Sequence, residues 1–279
     1  MKISYNEATA MGCSSLWEDL VLCEKAGFKF IELRLDMINE FEEKRPISEI
    51  VSFFQDSAIK PSYLNAVYLF DGLGTKGDSQ KTDEFLKVFD HSCEIAFQIG
   101  APGFIIVPPF TADGSPYPIT QDTPKRVAEI LNKLACTANG LQFALEPVGA
   151  KKCSLPTITS CKETISLSGL RNVGLAVDIC NIFQFNEGKG VLQELAGLEA
   201  DDICIVHICD YDKAPFSTAV REERCFCGTG LLPITEYINT LKGIGYHGVV
   251  SIELFRPEYY TLPNSTVIER AFETTNAFL

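Results

Sequence analysis

Basic charge is scarce in this sequence. Its 24 Lys and Arg against 37 Asp and Glu give a formal net charge of −13. No run of Lys or Arg is longer than two residues. Because such a field repels DNA and anionic membrane surfaces, we expect neither a nucleic acid nor a membrane as a partner.

Long hydrophobic segments and cysteine motifs are also missing. No stretch of eighteen apolar residues could span a bilayer. The N-terminal residues lack the apolar segment of a signal peptide. The eleven cysteines are odd in number, scattered, and contain no Cys-x-x-Cys pair. These absences predict a cytoplasmic protein with free thiols.

Short apolar runs alternate with longer amphipathic stretches along the whole chain. The eight apolar runs cover residues 2–6, 28–35, 62–70, 103–109, 141–147, 172–179, 202–209 and 247–255. The eight helical patterns cover residues 15–26, 48–58, 79–99, 121–139, 158–169, 187–197, 233–243 and 264–278. Strict alternation of this kind predicts parallel strands joined by right-handed crossovers.

We therefore expect an α/β fold, a (β/α)8 TIM barrel that spans residues 1–279 as a single domain. A doubly wound open sheet is the competing architecture. It is less favoured because no Gly-x-Gly-x-x-Gly motif follows the first strand. The longest predicted loops, 71–78, 108–120 and 209–232, all follow a strand, which assigns them to the catalytic face of a barrel.

Four ionisable side chains stand at the ends of apolar runs. They are Glu146 in QFALEPVG, Asp178 in VGLAVDICN, His207 in CIVHICD and Glu253 in VVSIELF. Since the carboxyl ends of barrel strands form one face, we expect these side chains to lie together. Three carboxylates packed without a cation would repel one another. The sequence therefore predicts one divalent metal ion bound by all four residues, with Mn²⁺ or Mg²⁺ favoured and Co²⁺ or Zn²⁺ compatible.

This ligand set, on strands five to eight, resembles the xylose isomerase-like barrel family. That family includes sugar and sugar-phosphate isomerases and epimerases, inosose isomerases and dehydratases, and a DNA-repair endonuclease. The resemblance covers most of the chain and is strongest in FIELRLD and in CGTGLLPITEYINTLKGIGYHGVVSIELFRPEYY. It implies that the four residues are metal ligands and that Glu146 and Glu253 are also the acid/base pair.

The resemblance implies a metal-dependent isomerase or epimerase of a sugar, keto-sugar or polyol-derived ketose. The reaction would transfer a proton through a metal-stabilised enediolate. Its partner would be a small-molecule sugar or polyol. An inosose dehydratase-like lyase on the same site is the alternative, and a sugar-binding barrel without catalysis is a third interpretation. The endonuclease branch needs more histidine ligands than this chain, with His91, His207 and His247, can supply.

Two further residues are assigned to the substrate by the resemblance. Family members often carry a His three residues after the strand-six Asp, where Asn181 stands here. The contact with a substrate hydroxyl would either pass to the Asn amide or be lost. Arg224, four residues before Gly228 in RCFCGTG, matches an Arg that holds the substrate in the family.

Three more substrate contacts are predicted from position. Glu32, Arg34 and Asp36 are spaced two residues apart along the predicted second strand, so they are expected to share a face. They would bind substrate hydroxyls or pair with each other. Arg256 follows Glu253 and is expected to line the pocket. The sequence does not define an oligomeric state, and a homo-oligomer is compatible with it.

Overall fold

A computed structural model describes residues 1–73 and 79–279 of the chain. The strands in these residues are β1 (Lys2–Asn6), β2 (Phe30–Glu32), β3 (Lys60–Pro61), β4 (Leu64–Tyr68), β5 (Gly103–Val107), β6 (Gln142–Leu145), β7 (Val173–Asp178), β8 (Ile203–Ile208), β9 (Asp210–Tyr211), β10 (Arg224–Cys225) and β11 (Val249–Ile252). Nine of these described strands form one curled sheet in the order β3-β2-β1-β11-β8-β7-β6-β5-β4. Every pairing within it is parallel. Strands β9 and β10 form a separate antiparallel pair.

The α-helices cover the outside of this sheet. In the described residues they are α1 (Leu16–Ala26), α2 (Leu35–Glu42), α3 (Ser48–Asp56), α4 (Ser79–Ile99), α5 (Thr123–Thr137), α6 (Ile158–Ser168), α7 (Ile179–Gln184), α8 (Val191–Ala196), α9 (Ile234–Gly243) and α10 (Asn264–Asn276). Short 3-10 helices occur at Glu7–Thr9, Phe185–Gly188, Ala200–Asp202, Phe216–Thr218, Arg221–Glu223 and Tyr259–Thr261. None of the described helices is both long and apolar enough to cross a membrane.

The two edges of the sheet, β3 and β4, follow each other in the chain and close the barrel. Strand β3 pairs with β2, and β4 pairs with β5. Strand β4 also contacts the residues that follow β2: the N–H of Asn65 donates to the carbonyl of Leu33 at 2.8 Å, and an isolated parallel bridge joins Arg34 to Asn65. Together β3 and β4 therefore occupy the place of one barrel strand, and the predicted TIM-barrel fold is confirmed.

Local sequence signals explain where several helices begin and end. Ser15 and Glu18 form a capping box at the start of α1, and Gly27 ends this helix with a positive φ of 99°. Pro124 occupies the first turn of α5, where its missing N–H costs nothing. Each of the eight predicted helical patterns contains an observed α-helix. The predicted loop 71–78 includes residues 74–78, which lie outside the described residues.

The predicted second strand is too long. Strand β2 ends at Glu32, Arg34 precedes the first residue of α2, and Asp36 lies in the first turn of that helix. The extra helix has its own signal, since Met37, Ile38 and Phe41 are buried at helical spacing. The expectation that Asp36 shares a strand face with Glu32 and Arg34 is therefore wrong, because the backbone is extended as far as Arg34 and turns helical after it.

A small cluster of buried side chains lies apart from the main core. It consists of Tyr63, Ile105, Ala144, Ala176 and Ile205. These residues come from neighbouring strands, and three of them stand two positions before a predicted metal ligand. Because side chains two apart on a strand point the same way, Glu146, Asp178 and His207 are directed to the inside of the barrel.

Candidate active site and metal centre

Four buried side chains converge at the carboxyl ends of β6, β7, β8 and β11. Glu146, Asp178, His207 and Glu253 each offer one ligand atom, and these atoms all lie within 4.8 Å of one another. Nδ1 of His207 is 3.4 Å from Glu146 Oε1, 3.9 Å from Asp178 Oδ2 and 3.8 Å from Glu253 Oε2. The structure thus brings together the four residues that were predicted from strand ends.

The backbone at each strand end fixes these directions. The N–H of Glu146 donates to the carbonyl of Ile106, and the N–H of Glu253 donates to that of Ile208, which extends the strand ladder by one residue. Asp178 ends β7 and also caps α7. Its Oδ1 accepts the backbone N–H of Asn181 at 2.7 Å, which leaves Oδ2 directed at the cluster.

The surroundings of His207 show whether a cation would fit among the four side chains. Its side chain has no exposed surface, and its Nδ1 has no hydrogen-bond partner in the described part of the chain. This nitrogen instead faces three carboxylates at distances too long for hydrogen bonds. A buried ring nitrogen without a hydrogen-bond partner is unfavourable. A cation between this nitrogen and the carboxylate oxygens would satisfy all of them. The donor set of three carboxylates and one imidazole fits a divalent ion.

Two of the cluster residues have shifted pKa values. Burial raises the pKa of Glu146 to about 7, and the charges of Glu253 and Asp178 add to this effect, whereas His207 opposes it. Burial disfavours the protonated form of His207, but the carboxylates of Glu32 and Glu253 outweigh burial and raise its pKa well above the usual value. Without a metal, the cluster therefore holds protons near neutral pH.

Arg224 is buried against the cluster. Its Nη1 donates to Asp178 Oδ2 at 2.8 Å and to Glu253 Oε2 at 2.7 Å, and its Nη2 donates to Asn181 Oδ1 at 3.0 Å. The side chain is only 4% exposed. Strand β10, which pairs with β9 after the carboxyl end of β8, brings it there. The guanidinium offsets one of the negative charges of the three carboxylates. A divalent cation can balance the negative charge that remains.

Asn181 connects Glu146 to Arg224. Its Nδ2 donates to Glu146 Oε1 at 3.0 Å, while its Oδ1 accepts from Arg224. Both Asn181 and Arg224 line the same cavity, so the structure leaves them in reach of a ligand.

Two asparagines that sequence reasoning missed also hold the cluster. The Nδ2 atoms of Asn6 and Asn65 donate to Glu253 Oε1 at 3.0 Å and 3.1 Å. Asn6 is the last residue of β1, so the search for polar residues at strand ends could have found it. Asn65 lies within β4, and no such signal marks it.

The remaining predicted substrate contacts lie elsewhere. Glu32 has no exposed side-chain surface and contacts His207 Nε2. Arg34 pairs with Asp36 at 2.6 Å, which was one of the two predicted outcomes for that set. Arg256 pairs with Asp212 at 2.8 Å. None of these three predicted residues is among those that line the cavity beside the cluster.

The other two histidines of the chain do not approach the cluster. His91 lies on α4, is about half exposed, and contacts Glu42 at 2.9 Å. His247 is exposed and precedes β11, at the end of the strand opposite Glu253. The additional histidine ligands of an endonuclease-type centre are therefore not supplied by this chain.

A cavity of about 510 Å³ opens above the cluster. Glu146 and Glu253 both line it, as do Asn181 and Arg224. Its apolar wall includes the side chains of Tyr68, Val107, Phe110, Val148 and Phe255. Further polar residues, Lys152, Gln184, Arg221 and Glu222, also line it. A cavity of this volume is typical of a small-molecule site.

Comparison with known proteins agrees with this architecture. Residues 20–277 match the family model for the xylose isomerase-like TIM barrel. The chain is 33% identical over 280 residues to the inosose isomerase of Bacillus velezensis, which covers 99% of this chain and 96% of the relative. It is 32% identical over 278 residues to the inosose isomerase of Bacillus subtilis, with coverage of 99% and 96%.

A solved structure described as the IolI protein with a bound zinc atom superimposes with a TM-score of 0.90. The two chains are 31% identical, and the match covers 100% of this chain and 98% of that one. Similarity to isomerases over nearly the whole of both sequences indicates that this protein is an enzyme of the isomerase type. Fold, site and sequence agree that the chain belongs to the xylose isomerase-like TIM barrel family.

Proposed function

We propose that this protein is a divalent-metal-dependent isomerase or epimerase of a ketose, and that inososes, which are cyclic ketones of inositols, are its first candidate substrates. One observation carries the proposal. Glu146 and Glu253 belong to the cluster that fits a cation, and both also line the cavity that would hold the substrate.

The reaction needs a proton to leave and return beside a carbonyl group. A divalent cation in the cluster supplies positive charge that stabilises the negative charge of the deprotonated substrate. The residues of the chain have the other tasks: they orient the ligand, take the proton at one carbon, and give a proton at the same or the adjacent carbon. Two carboxylates that face one cavity are suited to this exchange.

Glu146 is suited to take the proton. Its Oε1 accepts the Asn181 amide, whereas no hydrogen bond from the described residues reaches Oε2. Oε2 is therefore the oxygen available to a substrate C–H. Burial raises the pKa of this carboxyl group to about 7, and a base whose pKa lies near the working pH transfers protons efficiently in both directions.

Glu253 is held differently. Its Oε1 accepts the amides of Asn6 and Asn65, and its Oε2 accepts Arg224. These three hydrogen bonds hold the carboxylate in one orientation beside the cavity. We assign Glu146 and Glu253 to opposite halves of the proton transfer, with Asp178 and His207 as the other two metal ligands.

The lining of the cavity supports a ring-shaped, hydroxyl-rich ligand. Tyr68, Phe110 and Phe255 offer aromatic surface, while Asn181 and Arg224 offer hydrogen-bond donors near the cluster. Apolar ring faces of sugars and cyclitols pack on aromatic side chains, and their hydroxyls need polar partners. The inosose isomerases that resemble this chain make inososes the natural first choice.

The test is a substrate screen in D₂O with Mn²⁺-loaded protein. An inosose, D-fructose, D-tagatose and a ketose phosphate would each be followed by NMR for deuterium at the carbon beside the carbonyl and for the isomerised product. We expect deuterium incorporation with product for an inosose. Growth of the ultraviolet absorbance of an unsaturated ketone instead would identify the lyase alternative. Ligand binding without exchange or elimination would identify a non-catalytic sugar-binding barrel and overturn the proposal.

We further propose that the protein works in a reducing compartment such as the cytoplasm. All eleven cysteines are free thiols. Eight of them are buried without a disulfide: Cys23, Cys93, Cys153, Cys161, Cys180, Cys209, Cys225 and Cys227. Burial raises the pKa of several of these thiols, which keeps them protonated and unreactive. Fractionation of the source cells would test the location.

A further inference from the structure

We propose that Glu32 is a positioning residue, which holds the ring of His207 so that Nδ1, and not Nε2, faces the metal ion. This inference rests on the proposed metal site and deepens it. It replaces the substrate contact that was predicted for Glu32 from sequence, and it concerns a residue outside the four ligands.

The contact between the two side chains is close and buried. Nε2 of His207 lies 3.1 Å from Glu32 Oε1 and 3.1 Å from Glu32 Oε2. Neither side chain has any exposed surface. In the sheet, β1 and β11 separate β2 from β8, so the contact crosses the interior of the barrel. Solvent cannot replace either partner.

This geometry determines the tautomer of the imidazole. An ionised carboxylate only accepts hydrogen bonds, and a neutral imidazole has one N–H donor. With Glu32 at Nε2, the proton belongs on Nε2, and the lone pair belongs on Nδ1. Nδ1 is the nitrogen that has no hydrogen-bond partner in the described residues and that lies 3.4 Å to 3.9 Å from the three cluster carboxylates. A histidine that binds a metal commonly donates its other ring N–H to a carboxylate in this way.

Asn65 fixes the carboxylate in turn. Its Nδ2 donates to Glu32 Oε1 at 2.8 Å and to Glu253 Oε1 at 3.1 Å. Both amide hydrogens are therefore used, one for the positioning carboxylate and one for a proposed metal ligand. The parallel bridge between Arg34 and Asn65 keeps this amide beside the end of β2.

A role in substrate binding is less consistent with the structure. Glu32 has no exposed side chain and does not line the cavity. A purely structural ion pair with His207 is the remaining interpretation. It differs from the proposal in a measurable way, because a structural pair would affect folding but would not select the ring nitrogen that faces a metal ion.

The experiment compares Glu32→Gln and Glu32→Ala with the parent and with Glu7→Gln. Glu7 is a matched control, since it also carries a fully buried carboxyl group, directly follows the neighbouring strand β1, and accepts the N–H of Arg34 at 2.6 Å. Zn²⁺ affinity would be measured by competition with a chelator. Long-range ¹H–¹⁵N NMR of the Zn²⁺-loaded, ¹⁵N-histidine-labelled proteins would report which nitrogen of His207 carries the proton.

We expect Nε2–H and a metal-bound Nδ1 in the parent and in Glu7→Gln. The Glu32 variants should lose about 10- to 100-fold in Zn²⁺ affinity, as is usual when the hydrogen-bond partner of a metal ligand is removed. They should also give a mixed or reversed nitrogen pattern at His207. Circular dichroism and a cooperative unfolding transition would verify that each variant folds. A variant that does not fold would be replaced by Asn65→Ala, which removes the donor that holds Glu32 and should shift the same NMR signals.

The results separate this inference from the proposed function. Parent-like Zn²⁺ affinity and an unchanged Nε2–H signal in both folded Glu32 variants would overturn the positioning role, whether or not the enzyme isomerises an inosose. Loss of affinity together with a changed nitrogen pattern would support it, even if no substrate in the screen reacts. A parent protein that binds no divalent ion would overturn both.

Discussion

Nη1 of Arg224 lies between two carboxylates, 2.8 Å from Asp178 Oδ2 and 2.7 Å from Glu253 Oε2. One guanidinium nitrogen thus joins two of the four proposed metal ligands. Arg224 and Asp178 are almost completely buried, so solvent does little to balance the carboxylate charge. The guanidinium and a cation bound in the cluster would balance this charge together.

Arg224→Met should destabilise the metal-free protein more than the metal-loaded protein. Removing one partner of a buried ion pair typically costs about 3–5 kcal/mol, because the remaining carboxylates lose their compensation. A bound Mn²⁺ ion would restore part of it. Urea unfolding with and without Mn²⁺ measures both values.

Arg256→Met is the matched control for Arg224→Met. Arg256 pairs with Asp212, which is about one third exposed, so the loss should be only about 0–1 kcal/mol and should not depend on Mn²⁺. If Arg224→Met loses the same stability with and without Mn²⁺, the guanidinium and the cation do not share the charge of the cluster.

Metal affinity should increase with pH, and the increase should continue at pH values above the usual pKa of histidine. Burial opposes protonation of His207, but Glu32 and Glu253 raise its pKa well above 6.5 in the metal-free protein. The metal must displace the proton from the ring, and another from Glu146, whose pKa burial raises to about 7. Affinity is therefore weakest at low pH and increases as these groups lose their protons.

Calorimetric titration with Mn²⁺ between pH 6 and 9, in buffers of different ionisation enthalpy, would count the protons released. His91→Gln should behave like the parent, since His91 is exposed on α4. A dissociation constant that stays the same across this range would contradict the assignment of His207 and Glu146 as ligands.

Glu146→Gln and Glu253→Gln should both lower turnover by about 100-fold or more, because each removes one base. Their effects on the metal should differ. In Glu146→Gln the amide oxygen can still accept from Asn181 while the new NH₂ group faces the cavity. In Glu253→Gln both positions of the side-chain oxygens face hydrogen-bond donors, Arg224 on one side and the two asparagines on the other. The new NH₂ group would therefore oppose another donor whichever way it points. Metal affinity should therefore fall more in Glu253→Gln.

Deuterium exchange would identify the half-reaction that each variant retains. In an epimerase, one variant should exchange the proton of one epimer only and the other variant that of the opposite epimer. Glu222→Gln, which also lines the cavity but pairs with Arg221, should retain turnover close to that of the parent. Parent-like turnover in both Gln variants at positions 146 and 253 would rule out the acid/base pair.

A pH effect on stability is expected outside the site, at Asp19. Burial raises its pKa from 3.8 to about 7, although Asn264 and Ser14 donate hydrogen bonds that oppose the shift. The folded state therefore keeps a proton that the unfolded chain loses between pH 4 and 7. Stability from this group is present at low pH and is lost as the pH rises through 7.

Asp19→Asn removes the titration and keeps the size of the side chain. Between pH 6 and 8 the parent should lose roughly 1 kcal/mol more stability than the variant, measured by urea unfolding. Equal changes in parent and variant would show that Asp19 is ionised throughout this range in the folded protein.

The barrel could be predicted because each strand and helix is indicated by the residues within it. Alternating short apolar runs and amphipathic stretches fix the order of strands and helices, and parallel strands with short connections leave few topologies. The pattern failed to predict the end of β2 and the start of α2, and the reason also lies in the local sequence. Helix α2 begins three residues after Glu32 ends β2. The mixed apolar and charged residues at this junction resemble the pattern of a longer strand.

The candidate site could be predicted only in part. Glu146, Asp178, His207 and Glu253 each end an apolar run, and the geometry of a parallel barrel gathers such ends on one face. The sequence by itself therefore determined the fold class, the family resemblance and the four side chains that meet. The four were selected as a set, because ionisable side chains at the ends of four successive strands are expected to meet on one face of a barrel.

Only the tertiary structure decided how these side chains are held. Glu32 and His207 are 175 residues apart, and Asn65 and Glu253 are 188 apart. Arg224 reaches the cluster from a hairpin that carries no barrel-strand pattern. Contacts of this kind depend on the closure of the barrel and on the side-chain directions at its mouth. No local periodicity encodes them, because the partners become neighbours only when the first and last strands pair.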